Sequence, residues 1–508
     1  MNRVHSRSTS AKLNMLSGLL QELVAVICGL ILPRVILSAF GSTYNGIVNS
    51  VTQFLGFSAV LRSGLGAVTN AALYKPLADG DWDKVSGIMV ATDKFMKKVG
   101  WLLAALIGGF ALLYPLAVMD EFPYWFSGLL VLFIGISTFV ENMFSIKYKI
   151  LLQADQKYYI QTMFAIVAQI LATVISIALI YLNCGIHLVK LGAAVGMMST
   201  PFLLKLYVDR NYKINWKAKA DDVAIKSRWD AFAQQLAAIV NNNVPTIIMT
   251  LLLQLNEVSV YSVYYMVAHN MNKLLTSCLS GLKSTFGNML ARGETEHLRK
   301  RFCDVEYLVF LGSTIIFTVT AILLTPFVLV YTKGISDADY NRTSLGYGLV
   351  IVSLLNVLRI PYQLIVEAAG HFKQTRNGAF LEVFLNITIS LILVKWLGVL
   401  GVVAGGFVAT LVRNIQFVWY ANCRLMGMKL WRTLKNYAGY LAAGCLLTWA
   451  VPKLVPVSCE GYLPWVMSAV VVFAIVAVAL VALSAVLSPK QFRSFLKNTF
   501  KRRKKHET

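Results

Sequence analysis

Read from its start, the chain alternates long apolar runs with short polar intervals. From Lys12 onward the runs lie at approximately 13–38, 44–73, 99–119, 125–146, 158–182, 188–206, 229–254, 258–282, 304–330, 344–369, 377–396, 398–421, 436–452 and 463–487. A bilayer core about 30 Å thick takes about 20 apolar residues of helix. Backbone polar groups in lipid must pair within their own segment. The pattern therefore predicts an all-α polytopic membrane protein with about 14 transmembrane helices. The first run is too long for a signal-peptide core, carries Glu22 and Pro33 and lacks a small-residue cleavage site, so it reads as a retained span.

The polar intervals sort by charge, which supports the count, because a missed span would scramble the sorting. One face collects Lys75, Lys84, Lys94, Lys97 and Lys98, then Lys147, Lys149 and Lys157, then Arg210 through Arg228, Arg292 through Arg301, Lys373, Arg376 and Arg424 through Lys435. The other face holds Asp120, Glu121, Asp337, Asp339 and Glu460, with few cations. By the positive-inside rule both termini are cytoplasmic.

Composition now adds exclusions. With 57% apolar and 14% charged residues and a mean hydropathy of +0.64, the chain leaves no room for a soluble domain of ordinary size. No GxxxxGK[ST], HExxH or CxxC is present, so nucleotide, zinc and dithiol chemistry lose their stronger signals. Energy, where needed, would come from an ion gradient. The formal charge of +23 would suggest nucleic acid in a soluble protein, but here most of it is topology signal, and no nucleic-acid partner is expected. The tail Lys501-Arg502-Arg503-Lys504-Lys505 suits anionic headgroups of membrane lipids. The seven cysteines lie mostly in or beside apolar runs, and no disulfide is expected.

A short internal repeat is visible. Gln21-Glu22-Leu23 is followed by Pro33 in the first run, and Gln234-Gln235-Leu236 by Pro245 in the seventh; Arg62 and Lys273 then occur as lone cations in the second and eighth. An offset of six spans keeps both copies in one orientation. The stretch Tyr44-Asn45-Gly46-Ile47-Val48-Asn49, then Gln53-Phe54, Gly64-Leu65-Gly66-Ala67-Val68 and Asp79-Gly80-Asp81, resembles the second-span region of Wzx-type polysaccharide flippases of the multidrug/oligosaccharidyl-lipid/polysaccharide (MOP) exporter superfamily. Glu367-Ala368-Ala369-Gly370, Gly378 and Leu397-Gly398-Val399-Leu400-Gly401 are similar to that family's second half.

The resemblance implies two six-helix lobes, 1–206 and 229–421, related by a pseudo-two-fold axis around a central cavity and joined by a basic cytoplasmic linker, 207–228. Two additional helices, 422–487, and a basic tail, 488–508, complete a MATE/MOP-like architecture. It also implies a bacterial inner-membrane exporter that carries an isoprenoid pyrophosphate-linked oligosaccharide from the cytoplasmic to the periplasmic leaflet by alternating access. That activity serves surface polysaccharides such as the O-antigen of lipopolysaccharide. Its partners would be the lipid-linked oligosaccharide, membrane lipids, and the polysaccharide polymerase and chain-length machinery.

Site candidates follow from the cost of burying charge in lipid. Arg62, Lys273, Arg359 and Arg413 each lie roughly 15–18 residues below the outer end of an even-numbered span, about 22–27 Å down, and Arg34 lies nearer the outer end of the first. Cations at one depth suit a pyrophosphate loaded from the cytoplasm, and they argue against cationic cargo; the alternative is snorkelling to the interface. Glu22 is the candidate coupling carboxylate, with Na⁺ or H⁺ as the ion, or else a structural partner of Arg62. Asn241, Asn242 and Asn243 could line the cavity or pack between helices. Pro33, Pro245 and Pro361 are candidate bends, and His269 reads as a packed core histidine. No catalytic residue, resident cofactor or metal is expected. The competing readings are a lipid II or drug/cation transporter of the same superfamily and, in a different class, an integral-membrane glycosyl- or acyltransferase.

Overall fold

A computed structural model describes residues 7–61, 65–221, 232–279 and 282–493. Arg62 and Gly64, the end of the linker from 222, and the tail from Ser494 onward with its basic run lie outside the described residues. Helices dominate and no strand occurs among the described residues, as apolar runs in lipid require. Ten described helices are long and apolar enough to cross a membrane, and Ile239–Leu252 is a shorter apolar helix. The chain is a multi-pass membrane protein.

The fourteen expected runs fare differently. The second is delivered in pieces, interrupted by a turn at Phe57. The eighth and thirteenth are helical, over Leu255–Leu279 and Leu430–Leu454, but do not stand among the ten.

The chain divides into two compact units, Met1–Ser259 and Val260–Thr508. In the first, the helices are α1 (Arg7–Phe40), α2 (Ser42–Gly56), α3 (Ser58–Leu61), α4 (Leu65–Asp79), α5 (Trp82–Val118), α6 (Tyr124–Val140), α7 (Ile146–Ala154), α8 (Tyr158–Tyr181), α9 (Ile186–Met197), α10 (Ser199–Asn211) and α11 (Phe232–Leu252). A π-helical turn, Glu141–Ser145, fuses α6 to α7. Helix α8 packs against α1 and α9, and α5 against α6.

Helix α2 is zipped to the end of α11 and the start of α12 (Leu255–Leu279) by small polar side chains. Thr43 Oγ1 donates to Asn256 Oδ1 at 2.6 Å, Asn45 Nδ2 to Ser259 Oγ at 2.8 Å, and the Ser50 and Thr250 hydroxyls lie 2.7 Å apart. The approach is so close at Gly46 that a Cβ there would sit 2.0 Å from the Leu255 carbonyl oxygen. This explains physically the glycine in the Tyr44-Asn45-Gly46 phrase.

After α10 the chain folds back onto its own unit. The Asn215 N–H donates to Ser86 Oγ at 3.0 Å and the Asp221 N–H to the Gly87 carbonyl at 3.1 Å. Trp216 meets Tyr148 edge-on, with Lys147 Nζ 5.0 Å from its ring. The first residues of the expected linker thus belong to α10, and its described remainder, 212–221, is a strap on the start of α5. Asp81, just before α5, caps it by accepting the Lys84 N–H, and that backbone hydrogen bond holds its carboxyl below the usual range.

The second unit contains the rest of α12, then α13 (Leu282–Ala291), α14 (Thr295–Tyr331), α15 (Thr343–Ala368), α16 (Phe372–Leu397), α17 (Val399–Trp419), α18 (Leu430–Leu454) and α19 (Tyr462–Leu487). Helices α16 and α17 form a tight antiparallel pair, α15 packs on α14 and α17, and α18 and α19 lie on α14. Gly398 joins the pair with φ +55° and ψ −132°, backbone open to glycine alone without strain. It lies in the Leu397-Gly398-Val399 phrase singled out in the sequence.

Candidate functional site

In the second unit the structure brings together two of the expected cations. Arg359 on α15 and Arg413 on α17 converge on Glu382 of α16: Arg359 Nη1 donates to Glu382 Oε1 at 2.9 Å, and Arg413 Nε lies 3.5 Å from Oε2. Arg413 is 7% exposed, so it does not snorkel. Its Nη1 also donates to the Thr375 carbonyl at 2.7 Å and to Gln416 Oε1, and its guanidinium lies 4.3 Å from the Phe417 ring. Two guanidiniums on one carboxylate leave the group at +1, and Arg359 Nε is buried without a hydrogen bond. Sequence reading missed Glu382.

The other candidates are not gathered here. Lys273 sits on α12, exposed, one turn beyond His269, whose ring stacks on Tyr265 with centroids 5.0 Å apart. Lys273 enters no ion pair among the described residues. Arg62 lies outside the described residues. Arg34 is partly buried in α1 and engaged by its surroundings. Asn243 is buried, donates to the Ile239 carbonyl at 2.7 Å and presses on Gly56, whose Cβ would meet its amide oxygen at 2.6 Å. Asn241 is partly buried and Asn242 exposed. Pro33, Pro245 and Pro361 all lie inside continuous helices.

Glu22 is partly buried in α1 within electrostatic reach of Tyr158. Its neighbour Gln21, instead, lines a cavity of about 240 Å³ in the first unit. Gln21, Thr138, Glu141, Ser145, Lys149 and Gln169 are its main polar groups. Glu141 Oε1 and Lys149 Nζ pair at 3.0 Å, with side chains 41% and 23% exposed. A residue expected in a loop, Lys149, therefore belongs to a cavity wall, because the π-helical turn prolongs the fourth span to Ala154.

A third polar cluster holds α18 to the second unit. Glu306 on α14, 2% exposed, accepts from Arg432 Nη2, from the Tyr362 hydroxyl and, at 3.2 Å, from Thr433 Oγ1. Every oxygen of this carboxylate is occupied from neighbouring helices, so the cluster reads as a structural tie. Glu306 falls at the edge of an apolar run, where a carboxylate passes for an end-of-span charge.

No family model matches the sequence, and no curated protein matches it either. Solved structures do match. The lipid II flippase MurJ in an inward closed conformation superposes with a TM-score of 0.67 at 12% identity, covering 92% of this chain and 98% of that one. An inward-facing multidrug resistance MATE family transporter of the MOP superfamily gives 0.64 at 14% identity, covering 79% and 95%, and an outward-facing one gives 0.57 at 13%, covering 83% and 96%. At such identities the likeness speaks for the fold. The chain has the all-α, multi-pass fold shared by the MATE transporters and the lipid II flippase of the MOP superfamily.

Proposed function

We propose that the protein is a flippase that moves an isoprenoid pyrophosphate-linked oligosaccharide from the cytoplasmic to the periplasmic leaflet of a bacterial inner membrane by alternating access, for surface polysaccharide synthesis of the Wzx type. In this reading both termini are cytoplasmic, and 1–206 and 229–421 are the two lobes. The zipper between α2 and the α11–α12 junction is then a contact between lobes that must open and close once per cycle.

The observation that carries the reading is the surplus of positive charge within the spans. Glu382 neutralises only one of its two arginines, and Lys273 stands exposed outside every ion pair among the described residues. A diphosphate leaving water needs such fixed positive partners, whereas a cationic drug would be repelled by them. The same charge suits lipid II, another pyrophosphate carrier, and the fold likeness to a lipid II flippase favours that as the second reading.

The test is transport by the full chain in proteoliposomes, with lipid-linked oligosaccharide, lipid II and a cationic dye as alternative cargoes. Lys273→Ala should cut transfer of the pyrophosphate cargo at least about tenfold, the cost of one charge-assisted contact, with membrane abundance unchanged. Undiminished transfer in both Lys273→Ala and Arg62→Ala removes the pyrophosphate argument, and transport of the dye alone replaces the reading with drug export.

A further inference from the structure

The cavity of the first unit has a composition unlike the rest of the helix packing. Amides from Gln21 on α1 and Gln169 on α8, with the Thr138 and Ser145 hydroxyls and the Glu141–Lys149 pair of the fused α6–α7 rod, line one space, while Val24, Ile166 and Met197 supply apolar wall. The charged pair is neutral as a unit, so the space suits neither a diphosphate nor a cation. No aromatic ring lines it, so it offers a flat aromatic molecule no stacking partner. At about 240 Å³ it lies below the roughly 300–1,000 Å³ of pockets for drug-sized ligands. One ring-sized group fits.

A second observation points to an occupant. Ser145 is fully buried, yet its Oγ has no hydrogen-bond partner, and Ser145 lines the cavity. An orphaned buried hydroxyl is costly unless something in the space completes it. Ser145 also closes the π-helical turn that begins at Glu141, and such turns recur at functional sites.

We infer that this cavity is a saccharide subsite: it takes one sugar ring, whose hydroxyls meet the Gln21 and Gln169 amides, the Glu141 carboxylate and the Ser145 hydroxyl, while a less polar ring face rests on the aliphatic wall. The inference rests on the flippase reading and deepens it, since the sugar would belong to the lipid-linked cargo. A carboxylate accepts two sugar hydroxyls in parallel, and a glutamine amide both donates and accepts, so the set matches a vicinal diol without any net charge.

Two readouts test it in the full chain. In proteoliposomes, Ser145→Ala and Gln169→Leu should each raise the half-saturating concentration of a saccharide-bearing polyprenyl pyrophosphate about fivefold, the loss of one hydrogen bond. Inhibition by sugar-free polyprenyl pyrophosphate should stay unchanged. Abundance of Ser145→Ala should also hold, because deleting an orphaned hydroxyl removes no contact. Equal shifts for both carriers, or none, overturn the subsite.

The second readout needs no transport. A cysteine placed by Thr138→Cys should react more slowly with a small methanethiosulfonate reagent when free glucose, galactose or N-acetylglucosamine is present, and not when sodium sulfate is. Failure of all three sugars to slow the reaction marks a water-filled void and overturns the subsite even where transport succeeds. Protection by sugar with no transfer of any lipid-linked saccharide keeps the site and removes the flippase reading instead.

Discussion

Two carboxylates inside the helical body, Glu382 and Glu141, are each ion-paired and yet differ in kind. Glu382 is 12% exposed, bridges two arginines from two other helices, and belongs to a group in which Arg413 also holds a backbone carbonyl and an amide. Glu141 is 41% exposed, pairs with one lysine on its own helical segment, and opens onto a cavity. The first has no room to exchange partners. The second can trade a lysine contact for a ligand at little cost, since an exposed pair contributes only about 0–1 kcal/mol. Ion pairing alone does not separate structure from function here; the space beside the pair does.

The contrast can be broken most sharply at Glu382. Glu382→Ala leaves the buried Arg413 and the half-buried Arg359 without a counter-charge, which should cost about 3–5 kcal/mol and show as a collapse of folded protein by fluorescence-detected size exclusion. Combining it with Arg359→Met and Arg413→Met should restore much of that signal, because a well-packed apolar replacement of a buried ionic group is often neutral. If Glu382→Ala alone folds normally, the triad is not structural and its two cations serve the cargo alone.

An intermediate effect is expected at Arg413→Lys. The ammonium cannot hold the Thr375 carbonyl, Gln416 and Glu382 with one planar fork, so stability should fall by about 1–3 kcal/mol, read as a lower melting temperature, with transport impaired at least in proportion to folded protein. A variant as stable as the parent but inactive would assign Arg413 to the cargo alone. The smallest stability effect belongs to Glu141→Gln, within about 1 kcal/mol in a thermal-shift measurement. A large loss there would make Glu141 a second Glu382.

The sequence announces Arg359 and Arg413 plainly, as isolated cations inside apolar runs, and the glycines Gly46 and Gly398 sit where close approach and a sharp turn require them. What it hides is pairing. Glu382 lies six residues beyond Arg376 and reads as part of a charged span end, while its partners come 23 residues before and 31 after in sequence. Glu141 and Lys149 are eight residues apart, a spacing outside the familiar i, i+3 and i, i+4 pairs. Nothing in the apolar pattern marks a π-helical turn, so the fourth span looks shorter than it is, and Lys149 looks like loop. Hydropathy measures depth in the membrane; it carries no information about which side of a helix meets a neighbour.

The π-helical turn at Glu141–Ser145 works as a phase shifter along one rod. Each residue of an ordinary α-helix advances the side-chain direction by about 100°, and an i→i+5 turn takes up about one residue more than an i→i+4 turn, so relaxing 141–145 to α-helix with no residue removed would swing everything after it, Lys149 included, by about that angle. Glu141 would keep its place while its partner turned away, and Ser145 would leave the cavity wall. Whether this unit encloses a chamber is therefore decided by the width of one helical turn, a property of the hydrogen-bond pattern across five residues rather than of the identity of any one of them.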